Sequence, residues 1–388
     1  MRTAVPLAAL LVLAALAGCS ALSEEPRTAA PTLTPVPVDG GGTPVASDGP
    51  DAATPIPPTA TRTPARTPYA LPNGYNATGV ENPQVASLVA QQAFENRSNY
   101  RLTVRSSLGD GGPRTEIRRL VDEDARLVER YVNGSLDLAV YETDDTVYGY
   151  RTDPESDRFR LRSRYVTVSG PVEDRQAFDV LSALRYNQGY ASTVIFTGDW
   201  GAVGVLERGN DSLLDYRATR PTVERADGVT ELEYESRLVV DREGLVRFAG
   251  VRSLVRTDDG DRVEQVYSAE VTDLGETDVD RPSWVGEAAH ANVTTREGYA
   301  VVENVGERAI PLSTAEVDEA DSGYGTSLNG TLAPGERLYV SADPETASYR
   351  FTREPPEPGS YEPMDGTVTV TLGDESVSVI LGAQFENE

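Results

Sequence analysis

The stretch that decides the fold runs from residue 231 to residue 240 and reads Glu231-Leu232-Glu233-Tyr234-Glu235-Ser236-Arg237-Leu238-Val239-Val240. Apolar or small side chains occupy every second position from Leu232 to Val240, and charged ones lie between them as far as Arg237. Successive side chains of a strand point to opposite faces, so this alternation predicts a β-strand with one apolar and one charged face. Such strands build antiparallel sheets that are covered on one side only.

The same period of two recurs along much of the chain, in residues 100–105, 158–165 and 263–271. Pairs of turn-forming residues separate the strands and predict hairpins. They lie at Asn133-Gly134, Asp144-Asp145, Glu243-Gly244 and Asp259-Gly260. The sequence therefore predicts a long antiparallel meander.

Two helices are predicted beside this meander. Asn82 followed by Pro83 is typical of a helix start. One face of this helix, which ends near Asn96, is marked by Val85, Leu88, Val89, Gln92 and Ala93. A second helix fits residues 173–186, with one apolar stripe formed by Ala177, Val180, Leu181 and Leu184. We expect both helices to pack on the apolar face of the sheet.

The pattern changes from His290 onward to short strands between glycine- and proline-rich turns. Strands are expected at residues 299–302, 337–340, 348–352, 367–372 and 377–381. This spacing predicts a small β-sandwich over residues 286–388. The predicted fold class is α+β, mainly β.

The N-terminus combines Arg2, a leucine- and alanine-rich run from Val5 to Ala17, and the sequence Leu16-Ala17-Gly18-Cys19. The run is shorter than the roughly 20 residues that a membrane-spanning helix needs. The pattern resembles the lipobox of bacterial and archaeal lipoproteins. That resemblance implies a signal peptide over residues 1–18 and a lipidated Cys19 that anchors the protein to the cell membrane, facing outside. The alternative is an uncleaved anchor helix with an incidental cysteine.

The segment after Cys19 reads as a tether. Between Pro26 and Pro72 the chain holds 12 of its 26 prolines, mixed with threonine, alanine and glycine. Such a segment buries too little apolar surface to offset its ordering entropy. We therefore expect residues 19–80 to form a disordered, extended linker, whose threonines are either O-glycosylated or only solvated.

The charge balance indicates the chemical setting. The formal net charge is -27, from 62 acidic against 35 basic residues, and the sequence contains no lysine. Molar salt screens the repulsion within an acidic surface, since the Debye length falls to about 3 Å at 1 M. The composition resembles that of extremely halophilic archaea; an acidic low-salt protein from a GC-rich genome is the alternative. Nucleic acid is excluded as a partner, because phosphate binding needs a basic patch.

The composition also removes several kinds of catalysis. Without lysine there is no phosphate-binding P-loop and no Schiff-base chemistry. Cys19 is the only cysteine and His290 the only histidine, so zinc sites that need two such ligands are excluded. We expect His290 to be a solvent-facing loop residue, and residues 258–261 to form a hairpin turn rather than a calcium site. The sequence predicts no enzyme, no cofactor and no metal site.

The order of elements over residues 81–285 resembles the half-barrel of LolA- and LppX-like lipoprotein carriers, in the version found in haloarchaeal surface lipoproteins. The resemblance includes the preceding lipobox and tether and the stretch from Leu238 to Leu245. It implies a curved antiparallel half-barrel sheet with covering helices, whose concave apolar face can hold an acyl chain. In residues 286–388, the turns at 303–306 and 332–336 resemble those of Ig-like adhesion modules.

The apolar strand face is the candidate binding site. The residues that could line a lipid cavity are Tyr100, Leu102, Phe159, Leu161, Tyr234 and Leu238. Their alternative role is to pack against the two helices as an ordinary core. The arginines at positions 158, 160, 162 and 164 either hold anionic groups or pair with acidic stripes such as Glu231, Glu233 and Glu235.

Six sequons are candidate N-glycosylation sites, with Asn133 and Asn210 expected in loops. They lie at Asn76, Asn96, Asn133, Asn210, Asn292 and Asn329. The sequence names no protein partner.

Two functions remain compatible with these patterns. The first is a lipid-anchored, non-catalytic carrier or sensor of a hydrophobic, lipid-like ligand. The alternative is a structural or adhesion lipoprotein of the cell surface that binds no small molecule. The presence or absence of a lipid-sized space beneath the helices distinguishes them.

Overall fold

The computed structural model describes residues 71–109, 112–153, 163–170, 189–208, 211–222, 229–319, 322–346 and 348–385. The signal peptide, Cys19, the tether up to residue 70, most of the strand at 158–165 and the helix predicted at 173–186 lie outside the described residues.

The chain divides into two compact units. The N-terminal unit comprises the described parts of Met1–Glu123, Arg130–Ser135 and Tyr186–Thr277. The C-terminal unit comprises the described parts of Asp124–Glu129, Leu136–Arg185 and Asp278–Glu388. The sequence predicted a domain boundary after residue 285, close to Asp278, where the last segment of the C-terminal unit begins. It did not predict that residues from the middle of the chain belong to the same unit.

Strands are numbered along the whole chain. The N-terminal unit begins with a short hairpin, β1 Tyr75–Asn76 and β2 Gly79–Val80. The strands of its main sheet are β3 Tyr100–Leu108, β4 Arg114–Val121, β9 Gly198–Arg208, β10 Asp211–Pro221, β11 Thr230–Val240, β12 Val246–Arg256 and β13 Arg262–Thr272. They lie in the order β4-β3-β13-β12-β11-β10-β9, and each neighbouring pair is antiparallel. Predicted strands at 100–105, 231–240 and 263–271 are thus confirmed.

The sheet is curved. Its register shifts between Asp215 and Tyr216 in β10 and between Val239 and Val240 in β11. β-Bulges of this kind bend a strand and increase its twist. The hairpin turns predicted at 243–244 and 259–260 join β11 to β12 and β12 to β13, as expected.

The described residues of the N-terminal unit include two helices, α1 Pro83–Glu95 and α2 Ser192–Thr197. The start of α1 is confirmed, since the Asn82 side chain accepts a hydrogen bond from the Val85 backbone N–H at 3.1 Å. The predicted apolar face is only partly correct: Ala93 is buried, but Val85 and Leu88 are 37% and 54% exposed. The face turned to the core carries Ala86, Ala90, Ala93 and Phe94.

Small side chains bring α1 unusually close to its neighbours. Gly74, at φ +86°, lies so near α1 that a Cβ atom there would be 2.4 Å from the Ala86 backbone nitrogen. Only glycine satisfies both the left-handed backbone and this approach. The alanine face therefore follows from the need for close packing, which the larger Val85 and Leu88 would prevent.

The second face of the sheet is not uniformly exposed. Leu213, Val239 and Phe248 form a buried cluster there, apart from the main core. Beside it Arg237 and Asp215 form a buried ion pair, with Nε 2.9 Å from Oδ1. The expectation of one apolar and one charged face is correct for the first half of β11 and wrong for the second half, where Leu238, Val239 and Val240 are all buried.

The described residues of the C-terminal unit form two larger sheets, a separate two-stranded sheet and a 3₁₀ turn at Ser283–Glu287. The strands are β6 Ser135–Thr143, β7 Thr146–Arg151, β8 Tyr165–Ser169, β14 Ala291–Arg296, β15 Tyr299–Asn304, β16 Ile310–Pro311, β17 Thr314–Glu319, β18 Ser322–Thr326, β19 Thr331–Leu332, β20 Arg337–Ala342, β21 Tyr349–Thr352, β22 Gly366–Gly373 and β23 Val377–Phe385. The remaining strand, β5 Ala125–Val132, has residues in both units.

One of the larger sheets has the order β14-β15-β20-β21, and the other contains β18-β17-β22-β23-β8-β7-β6. The two-stranded sheet consists of β16 and β19. The apolar faces of the two larger sheets share one core, which includes Val302, Val340, Val317, Val370 and Val379. This two-layer packing agrees with the predicted sandwich, and all five strands predicted between 299 and 381 are confirmed. The parallel pairing of β8 with β23, in which Tyr165 lies opposite Val377, was not predicted.

Candidate functional site

The candidate lining residues meet in the interior of the N-terminal unit. Leu102 and Leu238 are fully buried, and Tyr100 and Tyr234 are at least nine-tenths buried, all within one apolar cluster. Phe159 and Leu161 lie outside the described residues. Four of the residues chosen from the strand pattern therefore lie together in the folded protein.

The helices lie directly on this sheet face. Phe94 of α1 packs against Tyr100, with ring centroids 4.7 Å apart, and against Tyr190, at 5.0 Å. Ile195 and Val194 of α2 are fully buried in the same cluster. In this conformation the four candidate residues act as core, in agreement with the alternative role considered for them.

The interior is rich in tyrosine, and most of its hydroxyl groups bind the backbone. Tyr190 donates to the Val246 carbonyl at 2.6 Å, and Tyr267 donates to the Tyr190 carbonyl at 2.8 Å. Tyr216 donates to the Asn76 carbonyl at 3.2 Å. Buried tyrosines usually find such partners, because an unpaired hydroxyl in an apolar setting is costly.

Tyr75 is the exception. Its ring stacks on that of Tyr216 at 5.6 Å and is 4% exposed, yet its hydroxyl has no hydrogen-bond partner among the described residues. Burial raises the pKa of Tyr75 well above 10 and that of Tyr216 to about 12, so both hydroxyls stay protonated at neutral pH. Tyr75 therefore presents an unused donor inside the core.

Asp241 begins the turn between β11 and β12, which lies against the segment before Tyr75. A Cβ atom at Gly244 would be 3.4 Å from the Pro72 Cβ, and the Pro72 carbonyl accepts a hydrogen bond from the Tyr75 N–H at 3.1 Å. The Asp241 Oδ1 accepts hydrogen bonds from the backbone N–H groups of Glu243 and Leu245, both at 3.0 Å. Burial raises the pKa of Asp241, and those two bonds and the charges of Arg247 and Arg97 only partly oppose the change. The Asp241 charge contributes to the raised pKa values of Tyr75 and Tyr190. We call Tyr75, Tyr190 and Asp241 the polar cluster.

Sequence reasoning missed this cluster because it placed the start of order at Asn82. The signal that could have located the β1–β2 hairpin is Asn73-Gly74, a turn-forming pair directly before Tyr75. No sequence pattern predicts that one tyrosine hydroxyl out of many is left without a partner, since that depends on packing.

The predicted pairing of the arginine stripe with Glu231, Glu233 and Glu235 stays a prediction. Arg158, Arg160 and Arg162 lie outside the described residues, and Arg164 is exposed. In the sheet, Glu235 of β11 lies opposite Arg252 of β12, and Glu231 accepts a hydrogen bond from the Ser253 hydroxyl at 2.6 Å.

His290 differs from its expected solvent-facing role. It is half-buried, its Nδ1 is 3.2 Å from the Tyr148 hydroxyl, and burial lowers its pKa.

The described sequon asparagines fall into two groups. Asn96, Asn133, Asn292 and Asn329 are exposed. Asn76 is half-buried, and its side-chain oxygen accepts hydrogen bonds from the Thr78 and Gly79 backbone N–H groups at 2.8 and 2.7 Å. Asn210 lies outside the described residues. Glycosylation remains a prediction at all six, and Asn76 has a structural role in its turn.

Comparisons with known proteins are sparse. No protein-family profile and no curated protein matches this chain. Among solved structures it is similar to the lipoprotein LppX of Mycobacterium tuberculosis, at 10% identity and a TM-score of 0.27, over 51% of this chain and 97% of that one. A DUF1329 family protein from Desulfovibrio piger matches at 10% identity and a TM-score of 0.19, over 52% and 95% of the two chains. Scores this low carry no argument about function.

Among the helices of the described residues, none has the length and apolar character that crossing a bilayer requires.

Proposed function

We propose that this protein is a non-catalytic lipoprotein of the cell surface whose N-terminal unit carries or senses a hydrophobic, lipid-like ligand. The observation that carries the proposal is the interior of that unit, an apolar and tyrosine-rich core between sheet and helices that contains the unpartnered Tyr75 hydroxyl. Binding sites for apolar small molecules combine such a lining with a few placed polar groups.

Helix α1 is the element that would admit the ligand. Three of its four buried side chains are alanines, which bury little apolar area per residue, and the fourth is Phe94, which packs on Tyr100. Separating α1 from the sheet therefore costs less than separating a leucine-faced helix. An acyl chain in the same place regains about 0.8 kcal/mol per buried methylene.

A reversible lock tests this mechanism. The hydroxyl oxygens of Ser87 in α1 and Ser192 in α2 are 2.8 Å apart, so a Ser87→Cys/Ser192→Cys pair is close enough to form a disulfide. The full chain with Cys19→Ser provides a background free of other thiols. We expect uptake of a neutral fluorescent apolar dye by the reduced protein, loss of uptake on oxidation, and recovery with reductant.

The single variant Ser87→Cys is the matched control, and its uptake should not respond to oxidant. Dye uptake that is equal in the oxidised and reduced double variant would contradict entry through α1. Native mass spectrometry of the full chain, with lipid observed in complex with it, would support the carrier function directly.

A second function is supported by the packing of α1 and α2 directly on the sheet. A surface scaffold or adhesion lipoprotein needs a filled core, and the buried candidate residues form one. Wild-type protein that takes up no apolar dye and retains no lipid would establish this alternative over the carrier.

Anchoring at the membrane through Cys19 belongs to both functions. The support is the lipobox-like Leu16-Ala17-Gly18-Cys19 after a short apolar run. We expect Cys19→Ser to release the protein to the medium or to leave it as an unprocessed precursor. A variant that remains membrane-bound with a mature-sized N-terminus would refute the lipid anchor.

A further inference from the structure

Among the described residues, the Tyr75 hydroxyl is an unpartnered polar group that lies within the apolar core of the N-terminal unit. A buried donor without a partner costs about 1–3 kcal/mol, and native proteins seldom leave one unused. Here the hydroxyl cannot turn to solvent, because the ring is 4% exposed and stacked on Tyr216. The β1–β2 hairpin also cannot move freely: a Cβ at Gly79 would lie 2.1 Å from the Trp200 carbonyl, and the Ala202 N–H donates to the Thr78 carbonyl at 2.9 Å.

The neighbours of Tyr75 define what it could bind. Asp241 contributes a carboxyl group that accepts backbone hydrogen bonds through Oδ1 only. Tyr190 already donates to Val246. The polar cluster thus offers one unused donor at Tyr75 and an acceptor oxygen at Asp241. Apolar side chains such as Ala86 and Val240 belong to the same buried cluster.

We propose that the polar cluster binds the uncharged hydroxyl head of a lipid alcohol, which accepts a hydrogen bond from Tyr75 and donates one to Asp241. This assignment rests on the proposed carrier function and gives its ligand a chemical class. A long-chain carboxylate fits less well, because its charge would oppose that of Asp241. A hydrocarbon leaves both polar groups unused.

The test compares three 12-carbon ligands on the full chain carrying Cys19→Ser, in molar salt. Dodecanol, 1-methoxydodecane and dodecanoate compete with the neutral apolar dye N-phenyl-1-naphthylamine. We expect dodecanol to bind most tightly, because the ether can accept but cannot donate a hydrogen bond. In Tyr75→Phe the affinity for dodecanol should fall about fivefold, the effect of one hydrogen bond of about 1 kcal/mol. In Asp241→Asn, the preference for dodecanol over 1-methoxydodecane should become smaller, because the hydrogen bond that the alcohol donates to Asp241 is the difference between the two ligands.

Thermal unfolding separates this role from a purely structural one. Tyr75→Phe keeps the stacked ring and removes the unused donor, so its melting temperature without ligand should equal or exceed that of the wild type. Tyr267→Phe is the matched control. It loses a hydrogen bond to the backbone, so its melting temperature should fall.

The outcomes distinguish this proposal from the carrier function. If wild-type protein binds no ligand and no dye, both are overturned. If all three ligands bind equally and Tyr75→Phe changes nothing, the carrier function stands and the hydroxyl site is wrong. Tighter binding of dodecanoate than of dodecanol would likewise overturn the lipid-alcohol class.

Discussion

Asp241 has a carboxyl group whose burial disfavours the charged form. Burial raises its folded-state pKa above the unfolded value, so its contribution to stability is fully present below the unfolded pKa and is lost as the pH rises through the folded one. Asp241→Asn keeps an oxygen that can accept from Glu243 and Leu245 but removes the charge. We expect the variant to match the wild type below about pH 4 and to have the larger free energy of unfolding at neutral pH.

Urea unfolding of both proteins across this pH range gives the measurement. The gap between variant and wild type should widen with rising pH. A variant that is less stable at pH 7 would show that attraction to Arg97 and Arg247 outweighs burial.

Asn82 makes a simpler contribution, as the cap of α1. Replacing it by alanine removes the 3.1 Å hydrogen bond from the Val85 N–H and should lower the free energy of unfolding by about 1 kcal/mol. Asn82→Asp retains an acceptor and should remain near the wild-type value in the same denaturation experiment. Equal losses in both variants would mean that the side chain acts through another contact.

These residues show the limit of sequence reasoning at the smallest scale. Asn82-Pro83 could be read as a helix start because capping depends on neighbouring residues alone. The role of Tyr75 could not be predicted, because the loss of its partner follows from the burial of a hairpin beneath a helix. Four of the six proposed lining residues lie in one buried cluster. Period-two alternation does not reveal whether such an interior is filled by side chains or leaves room for a ligand.

At the scale of elements, the contact between the β1–β2 hairpin and α1 depends on Gly74. Gly74→Ala introduces both a disfavoured φ of +86° and a 2.4 Å approach to backbone atoms of Ala86. Gly260 is the matched control, since it has a similar φ of +85° but no atom within 4 Å of the added Cβ. We expect Gly260→Ala to cost about 1–2 kcal/mol and Gly74→Ala clearly more. Similar losses in thermal unfolding would show that the hairpin can shift away.

The element scale also explains where the strand pattern succeeded. Alternation in residues 231–236 correctly predicted a half-exposed strand, because Tyr234 is buried and Glu235 is not. From Arg237 through the run Leu238-Val239-Val240 every residue is buried, so both faces are covered. A continuous apolar run is the expected sign of two-sided burial. For α1 the predicted face is only partly the buried one. The prediction gave most weight to the large apolar residues Val85 and Leu88, but close packing places the smaller alanines against the core.

For the whole molecule, the net charge of -27 leads to a salt prediction. Carboxylate repulsion across the surface is screened at molar salt and far less at millimolar salt. We expect the melting temperature of the full chain to fall as sodium chloride is lowered through that range. A constant melting temperature would contradict adaptation to high salt, and sucrose at matched viscosity serves as the control for solvent effects other than screening.

The arrangement of units was the least predictable feature. Hairpins connect neighbours in sequence, so local turn signals reveal them. The pairing of β8 with β23 joins Tyr165 to Val377 without any local signal. Composition indicated a change of structure near residue 290 but could not assign the described residues 136–153 and 163–170 to the C-terminal unit.

That pairing has a consequence for the order of events during synthesis. β8 leaves the ribosome long before β23, so until residues 377–385 are available one edge of β8 has unsatisfied backbone groups. Contacts between distant parts of a chain slow folding, and open strand edges invite association with other chains. The C-terminal unit should therefore complete its folding only after synthesis is nearly finished, and pulse-labelled nascent chains should gain protease resistance in that unit late and in a single step.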